Sequence, residues 1–321
     1  MIDLLKKNSL IIILIGVIIL PVLISACRNG KPKELNETPT RGNISVTFDE
    51  NFTILGEAEA FTFQEIYTLA KVNVRFKPET EVFSDLLKDS ARIVMVSRKL
   101  TEKEENYLKQ KQIIPKTTKI AIDAVAIILN NSNPDTLLLY KDLYAIFKGS
   151  IDKWNQINPK SSLTDIKVVF DNNKSGNVRY IIEKFKLSNQ LPDYCFAVNS
   201  NEQVIEFVKN NKNAVGIISV NWISDPADTL SGAFLKQIRV AYISDPGNTD
   251  GKGDYYRPFP GNIAEGSYPL TREVFIINRE YFSGLGSGFA QFIAGDKGQR
   301  IVRRAGLVPA QIPIRLIEIK E

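Results

Sequence analysis

From Ile44 onward, short runs with strand spacing alternate with segments of helical spacing, and this alternation constrains the fold more than any other feature of the chain. Ile44, Val46 and Phe48 alternate as in a half-buried strand, residues 61–70 have helical apolar spacing, and 72–76 alternate again. Val82, Phe83, Leu86 and Leu87 mark a helix, 91–96 a short apolar strand and 101–110 a polar, exposed helix. Thr101, with Glu104 three residues on, forms the capping box that starts it. Residues 121–129 are nearly all apolar, as expected of a strand buried on both faces.

The second half repeats the pattern. Helices are expected over 140–147, closed by Gly149, and over 175–185 and 202–209; strands over 166–170, 214–218 and 273–278; and one or two terminal helices over 288–305. Residues 245–266 are rich in Gly and Pro and predict a long loop, a kind of segment that is often functional. Strands alternating with helices imply an α/β fold with largely parallel sheets. At roughly 150 residues per domain, 321 residues suggest two domains.

The chain contains no histidine and two cysteines. Triads of the Ser-His-Asp or Cys-His kind are excluded, because their base is an imidazole. So are zinc sites built on His ligands or on four cysteines. A carboxylate-only enzyme, with Asp49, Glu79 and Glu81 as its candidates, survives this filter, as does a protein that only binds. The net charge of +5 is spread among alternating acids and bases with no basic run, so nucleic acid is not an expected partner.

The N-terminus has the form of an export signal: Lys6-Lys7, an apolar run over 10–20, Pro21, then Ile24-Ser25-Ala26-Cys27. The last four residues resemble a bacterial lipobox, which implies cleavage after residue 26 and lipidation of Cys27. Acyl chains contribute about 0.8 kcal/mol per buried CH₂ and would hold the body at a membrane surface. An uncleaved membrane anchor is the alternative, although 10–26 is barely long enough to span and Pro21 interrupts it. Residues 27–42 carry few large apolar side chains and are expected to be a tether. The remaining cysteine, Cys195, lies in an apolar run and is expected to be a buried thiol.

The sharpest local feature follows the strand at 166–170. Ser175 is a good N-cap, Gly176 lets a ligand approach the backbone, and Arg179 sits one turn up on the same face. Helical side chains lean toward the N-terminus, so the guanidinium can reach back toward the positive helix end. Hydroxyl, N–H groups and a two-pronged cation together suit a tetrahedral oxyanion, though a capped surface helix has the same pattern.

Several segments, in order, resemble the periplasmic phosphate-binding proteins, the substrate-binding components of phosphate ABC importers. They are Ile122-Asp123-Ala124-Val125-Ala126-Ile127; residues 143–149 with Trp154-Asn155; Ser175-Gly176-Asn177; Asn213-Ala214-Val215-Gly216-Ile217-Ile218; Tyr268-Pro269-Leu270-Thr271-Arg272; and 298–302 followed by Ala305-Gly306-Leu307-Val308-Pro309. The resemblance implies a two-lobe periplasmic-binding-protein-like fold (type II) with a hinge and a ligand cleft. Lobe I would be 43–122 plus 270–321 and lobe II 123–269, with Asp123 a structural hinge residue.

The function so implied is capture of phosphate or a related oxyanion for an ABC permease, by a monomeric, lipid-anchored protein outside the cytoplasm, with no catalysis, cofactor or metal. The ligand residues would be Ser175, Gly176, Asn177 and Arg179, faced by Ser97 and Arg98. Five departures bear on the ligand: Asn177 stands where Thr is usual, Arg179 falls one residue later than in the common form, Asp171 stands where one branch has Arg, Pro78-Glu79-Thr80-Glu81 where a Gly-Ser-rich loop is usual, and Ser97-Arg98 where Ser-Asp is usual. The loops at 49–52 and 78–81 are acidic, with Glu79 and Glu81 expected to be a solvated helix start. Those acids motivate an alternative, the same fold with a degenerate site acting as an envelope interaction or sensor protein.

Overall fold

A computed structural model describes residues 37–188, 190–223 and 229–311. The expected leader, Cys27 and the first part of the tether lie outside the described residues. Among the described residues no helix is long and apolar enough to cross a membrane.

One continuous hydrogen-bonded ladder runs through both lobes. In lobe I, β1 (Gly42–Asp49) pairs in parallel with β2 (Ala70–Lys77) and β3 (Ile93–Val96). In lobe II, β5 (Lys167–Phe170) pairs in parallel with β6 (Cys195–Ala197) and β7 (Ala214–Ser219). Between them lie β4 (Lys116–Asn130) and β9 (Thr271–Asn278), which pair with each other and with their outer neighbours antiparallel. The sheet is therefore mixed rather than largely parallel. The 15-residue β4 is long enough to serve both lobes: its first half pairs with β9, and its second with β7 and with β8 (Ile238–Val240). β10 (Val308–Pro309) returns to the middle of β4.

Side-chain alternation explains the layering of lobe I. Ile93 and Met95 of β3 face one core with Val274 and Ile276 of β9, covered by α1 (Thr53–Ile66) and by two later helices. Val94 and Val96 face the other side with Phe275 and Ile277, covered by α2 (Glu79–Leu87) and α3 (Glu102–Gln110). Strands covered on both faces must be apolar throughout, as this one is. Lobe II packs helix α4 (Tyr140–Lys148), α5 (Gly176–Lys184) and α6 (Asn201–Asn210) around a core that includes Trp154, Phe147 and Phe170. Gly149 closes α4 in the left-handed region, φ 86°, where a Cβ would be strained.

Several expectations need correction. The first helix begins at Thr53, and 67–70 have left it, because Tyr67–Ala70 forms the turn that starts β2. The Gly/Pro-rich stretch 245–266 holds the short strand Tyr255–Tyr256 and the helix Pro260–Ala264, which Pro260 can start because its first position needs no N–H. Cys195 is only partly buried, at the start of edge strand β6. Residues 37–42 belong to the folded body: Glu37 pairs with Arg92 and accepts from the Leu285 N–H, at the start of helix α7 (Leu285–Ala294). That helix is followed by α8 (Asp296–Arg304).

Candidate functional site

The C-terminal ends of β1, β3, β5 and β7 all point to the boundary between the lobes, the usual position of a ligand site in an α/β sheet. β1 delivers Asp49 and Asn51, and β3 delivers Ser97. The start of α2 delivers Glu79. β5 and the first turn of α5 deliver Asp171, Ser175, Gly176, Asn177 and Arg179, and β7 delivers Ser219 and Asn221.

Ser175 is the expected cap: its Oγ accepts from the Asn177 N–H at 3.0 Å and donates to Asp171 at 2.7 Å. Asn177 is fully buried and donates from Nδ2 to Asn51 of the other lobe at 2.7 Å. Arg179 crosses the boundary, where its Nη2 donates to the Ser97 Oγ at 2.8 Å and to Glu79 Oε1 at 3.1 Å, and its Nε to Glu79 Oε2 at 2.5 Å. The Ser97 Oγ and N–H donate to Glu79 Oε1 at 2.8 and 3.2 Å.

Glu79 is thus not a solvated helix start. It is 3% exposed, and its carboxylate lies at the point where donors from both lobes converge. Burial alone would raise its pKa, but the charge and hydrogen bonds of Arg179, with those of Ser97, hold it below the ordinary glutamate value. Glu81 remains near the surface and pairs with Lys174 of lobe II at 3.3 Å.

The lobes are closed on each other. A Cβ on Gly176 would sit 2.7 Å from Asp49 Oδ2, 3.0 Å from Ser97 Oγ and 3.1 Å from Glu79 Oε1, all of them lobe I oxygens. Thr80 donates to the Lys174 carbonyl from its N–H and hydroxyl, at 3.3 and 3.1 Å. Asp123 is fully buried and bridges the crossover strands: Arg272 Nε donates to it at 2.9 Å, and Ser219 Oγ at 3.0 Å. Its expected structural role fits this placement.

Arg98 does not join the cluster around Ser175. Its guanidinium forks onto Glu104 at 2.8 and 2.9 Å and stacks on the Phe83 ring at 3.5 Å. It lines, with Arg179 and Glu79, a cavity of about 450 Å³ at the lobe boundary. Among the described residues no group of three or more His, Cys, Asp or Glu side chains could hold a metal.

Sequence reasoning marked the acids at 49, 79 and 171 but missed that all three are buried. Asp49 and Asp171 are both fully buried, and each has one carboxylate oxygen without a hydrogen-bond partner among the described residues. Burial first, and then the charge of Glu79, pushes Asp49 up to about 8. The available signal was position: Asp49 ends β1 and Asp171 directly follows β5, each where the chain turns toward a helix start.

The family profile described as a PBP superfamily domain matches residues 35–297. The phosphate-binding protein PstS of Staphylococcus haemolyticus is 28% identical over 209 residues, which cover 63% of this chain and 61% of that protein. The chain thus spans about three fifths of that relative. PstS of Pseudomonas aeruginosa is 21% identical over 318 residues, 93% of this chain and 92% of that one. Among solved structures, a putative phosphate ABC transporter substrate-binding protein with bound phosphate from Clostridium perfringens superposes with a TM-score of 0.70 at 21% identity, covering 84% of this chain and all of the other. An ABC-type phosphate transport receptor from Vibrio cholerae gives 0.63 at 25% identity, covering 83% and 99%. These likenesses establish the two-lobe fold.

Proposed function

The chain belongs to the PBP superfamily, and from that premise we propose that it is an extracytoplasmic solute receptor that captures phosphate or a related oxyanion between its lobes for ABC-type import. The observation that carries this reading is the convergence of Ser97 N–H, Ser97 Oγ, Arg179 Nε and Arg179 Nη2 on one point at the lobe boundary. An N–H, a hydroxyl and a guanidinium fork form an anion cradle, and charged hydrogen bonds of this kind are the strong ones. Phosphate is the ligand named for the relatives, and it is proposed here for this cradle.

Calorimetry with phosphate, sulfate and a phosphonate tests the reading; no heat from any of them at millimolar ligand would end it. Arg179→Ala should weaken phosphate binding by at least ~1.5 kcal/mol, the scale of a charged hydrogen bond. Gly176→Ala should weaken it by about 1–3 kcal/mol, because an added methyl meets three oxygens of the closing lobe. Neither change should lower the helix content measured by circular dichroism, since both lie at the boundary and not in a lobe core.

We also propose that the chain is lipidated at Cys27 and held to a bacterial membrane, as its leader pattern suggests. Cys27→Ser should move the protein from the membrane fraction to the soluble one. Retention of Cys27→Ser in the membrane would point to an uncleaved anchor. The second reading, an envelope interaction or sensor protein, is favoured by one observation: a carboxylate of the protein's own already lies in the cradle.

A further inference from the structure

Four donors meet at the lobe boundary, two from each lobe, and all four end on Glu79. Its carboxylate bonds within 3.2 Å to every one of them, so a free oxyanion and this carboxylate cannot occupy the cradle together. The same contacts tie the lobes, because Ser97 and Glu79 belong to lobe I and Arg179 to lobe II. We propose that Glu79 is a tethered competitor: it fills the oxyanion cradle when no solute is bound, latches the lobes shut, and must swing aside for an anion to bind. The proposal rests on the oxyanion reading for the competition, but not for the latch.

The neighbouring groups support such an exchange. Glu79 opens α2 and is joined to it by the flexible ethylene of its side chain. It lines a cavity of about 450 Å³ together with Arg98, Glu104, Lys88 and Tyr107. That cavity offers the displaced carboxylate room and one cation, Lys88, since Arg98 is already paired with Glu104. Arg179 would keep a carboxylate partner in Glu183, to which its Nη1 donates at 2.6 Å. The Ser97 hydroxyl accepts from Arg179 as well as donating to Glu79, so it can turn its proton to an incoming anion without losing the arginine.

The arithmetic of a competing state sets the size of the effect. A latch occupied nine times in ten lowers apparent affinity about ten-fold. Glu79→Ala and Glu79→Gln are tested in the full chain by two readouts: phosphate titration by calorimetry, and small-angle scattering without ligand. Arg179 is partly exposed and keeps Glu183, so the variants should fold, and a melting curve checks this. The expected result is phosphate binding at least about ten-fold tighter in Glu79→Ala than in the wild type, with Glu79→Gln between them, together with a larger unliganded radius of gyration. If both readouts match the wild type, the latch is overturned. If the wild type binds phosphate and the variants open without binding it more tightly, competition is overturned and the oxyanion reading stands. If the variants open but neither they nor the wild type bind phosphate, sulfate or a phosphonate, the latch stands and the oxyanion reading falls.

Discussion

Replacing Arg272 by methionine should lower the unfolding free energy by about 3–5 kcal/mol, the cost of leaving one partner of a buried ion pair behind. The pair joins directly opposed residues of the two crossover strands: Arg272 of β9 is in register with Asp123 of β4. Their side chains are 2% and 0% exposed, so water cannot replace the lost cation. Ser219 would still donate to Asp123, but a hydroxyl does not neutralise a carboxylate. The loss would extend beyond the pair, since the Arg272 charge also counters Asp49 and Asp171. The guanidinium also lies over the Phe52 and Tyr180 rings, 5.6 and 6.0 Å from their centroids, and methionine keeps much of that apolar contact. The double variant Asp123→Asn with Arg272→Met removes both charges and should recover most of the stability, which separates loss of charge compensation from loss of packing. Urea unfolding of the wild type, the single variant and the double variant measures this. A single-variant cost below about 1 kcal/mol would mean that the pair is solvated and does not brace the two strands.

What the sequence shows of this fold is what depends on near neighbours. Thr101 and Glu104 make their capping box within one turn, and Ser175 caps α5 from its own sequence position. The lean of Arg179 toward the helix start also follows from helix geometry alone. What it hides depends on distant partners. Glu79 follows Pro78 in a polar run and has the pattern of a solvated helix-start acid; the residue that buries it, Arg179, lies 100 positions away. The direction of β9 is hidden for the same reason. Its apolar run predicts a strand, while its antiparallel pairing on both sides is decided by β3 and β4, which are remote in sequence. The polar first half of β4, Lys116 to Lys119, pairs with β9, and no apolar pattern marks it. Arg98 is the reverse case: it follows β3 directly, as Ser97 does, but Glu104 six residues on and the Phe83 ring draw its guanidinium aside.

Stability should fall as pH rises from about 5 to about 8, in a chain that has no histidine to titrate there. Burial, then the charge of Glu79, pushes Asp49 up to about 8, against the pull of Arg272 and the Asn51 N–H. Burial, then Asp171 and Asp49, pushes Glu50 up to about 8 as well. Asp171 is raised by burial despite its bonds from Ser175 and Asn177. A carboxyl raised above its unfolded value holds a proton in the native state that the unfolded chain has released. Its contribution is therefore complete below the unfolded pKa and disappears as pH passes through the folded one. For Asp49 the slope is on the order of 1 kcal/mol per pH unit across that window, and Glu50, partly exposed, adds less. The groups with lowered values act in the opposite direction. Glu79 and Glu104, paired with arginines, stabilise above the ordinary carboxylate range and lose that contribution as pH falls through their own pKa values. The maximum should accordingly lie near pH 5. Urea midpoints at pH 5, 6.5 and 8 test the slope, and midpoints that hold level or rise toward pH 8 would refute it. Asp49→Asn should flatten the profile, because its Oδ1 can still accept from the Asn51 N–H while the titrating proton is gone. Because Asp49 lies against Gly176 of the opposite lobe, opening the cleft would return it to water. Proton release should then accompany lobe opening as well as unfolding, so at pH 8 the unliganded protein should scatter as a more open molecule than at pH 5.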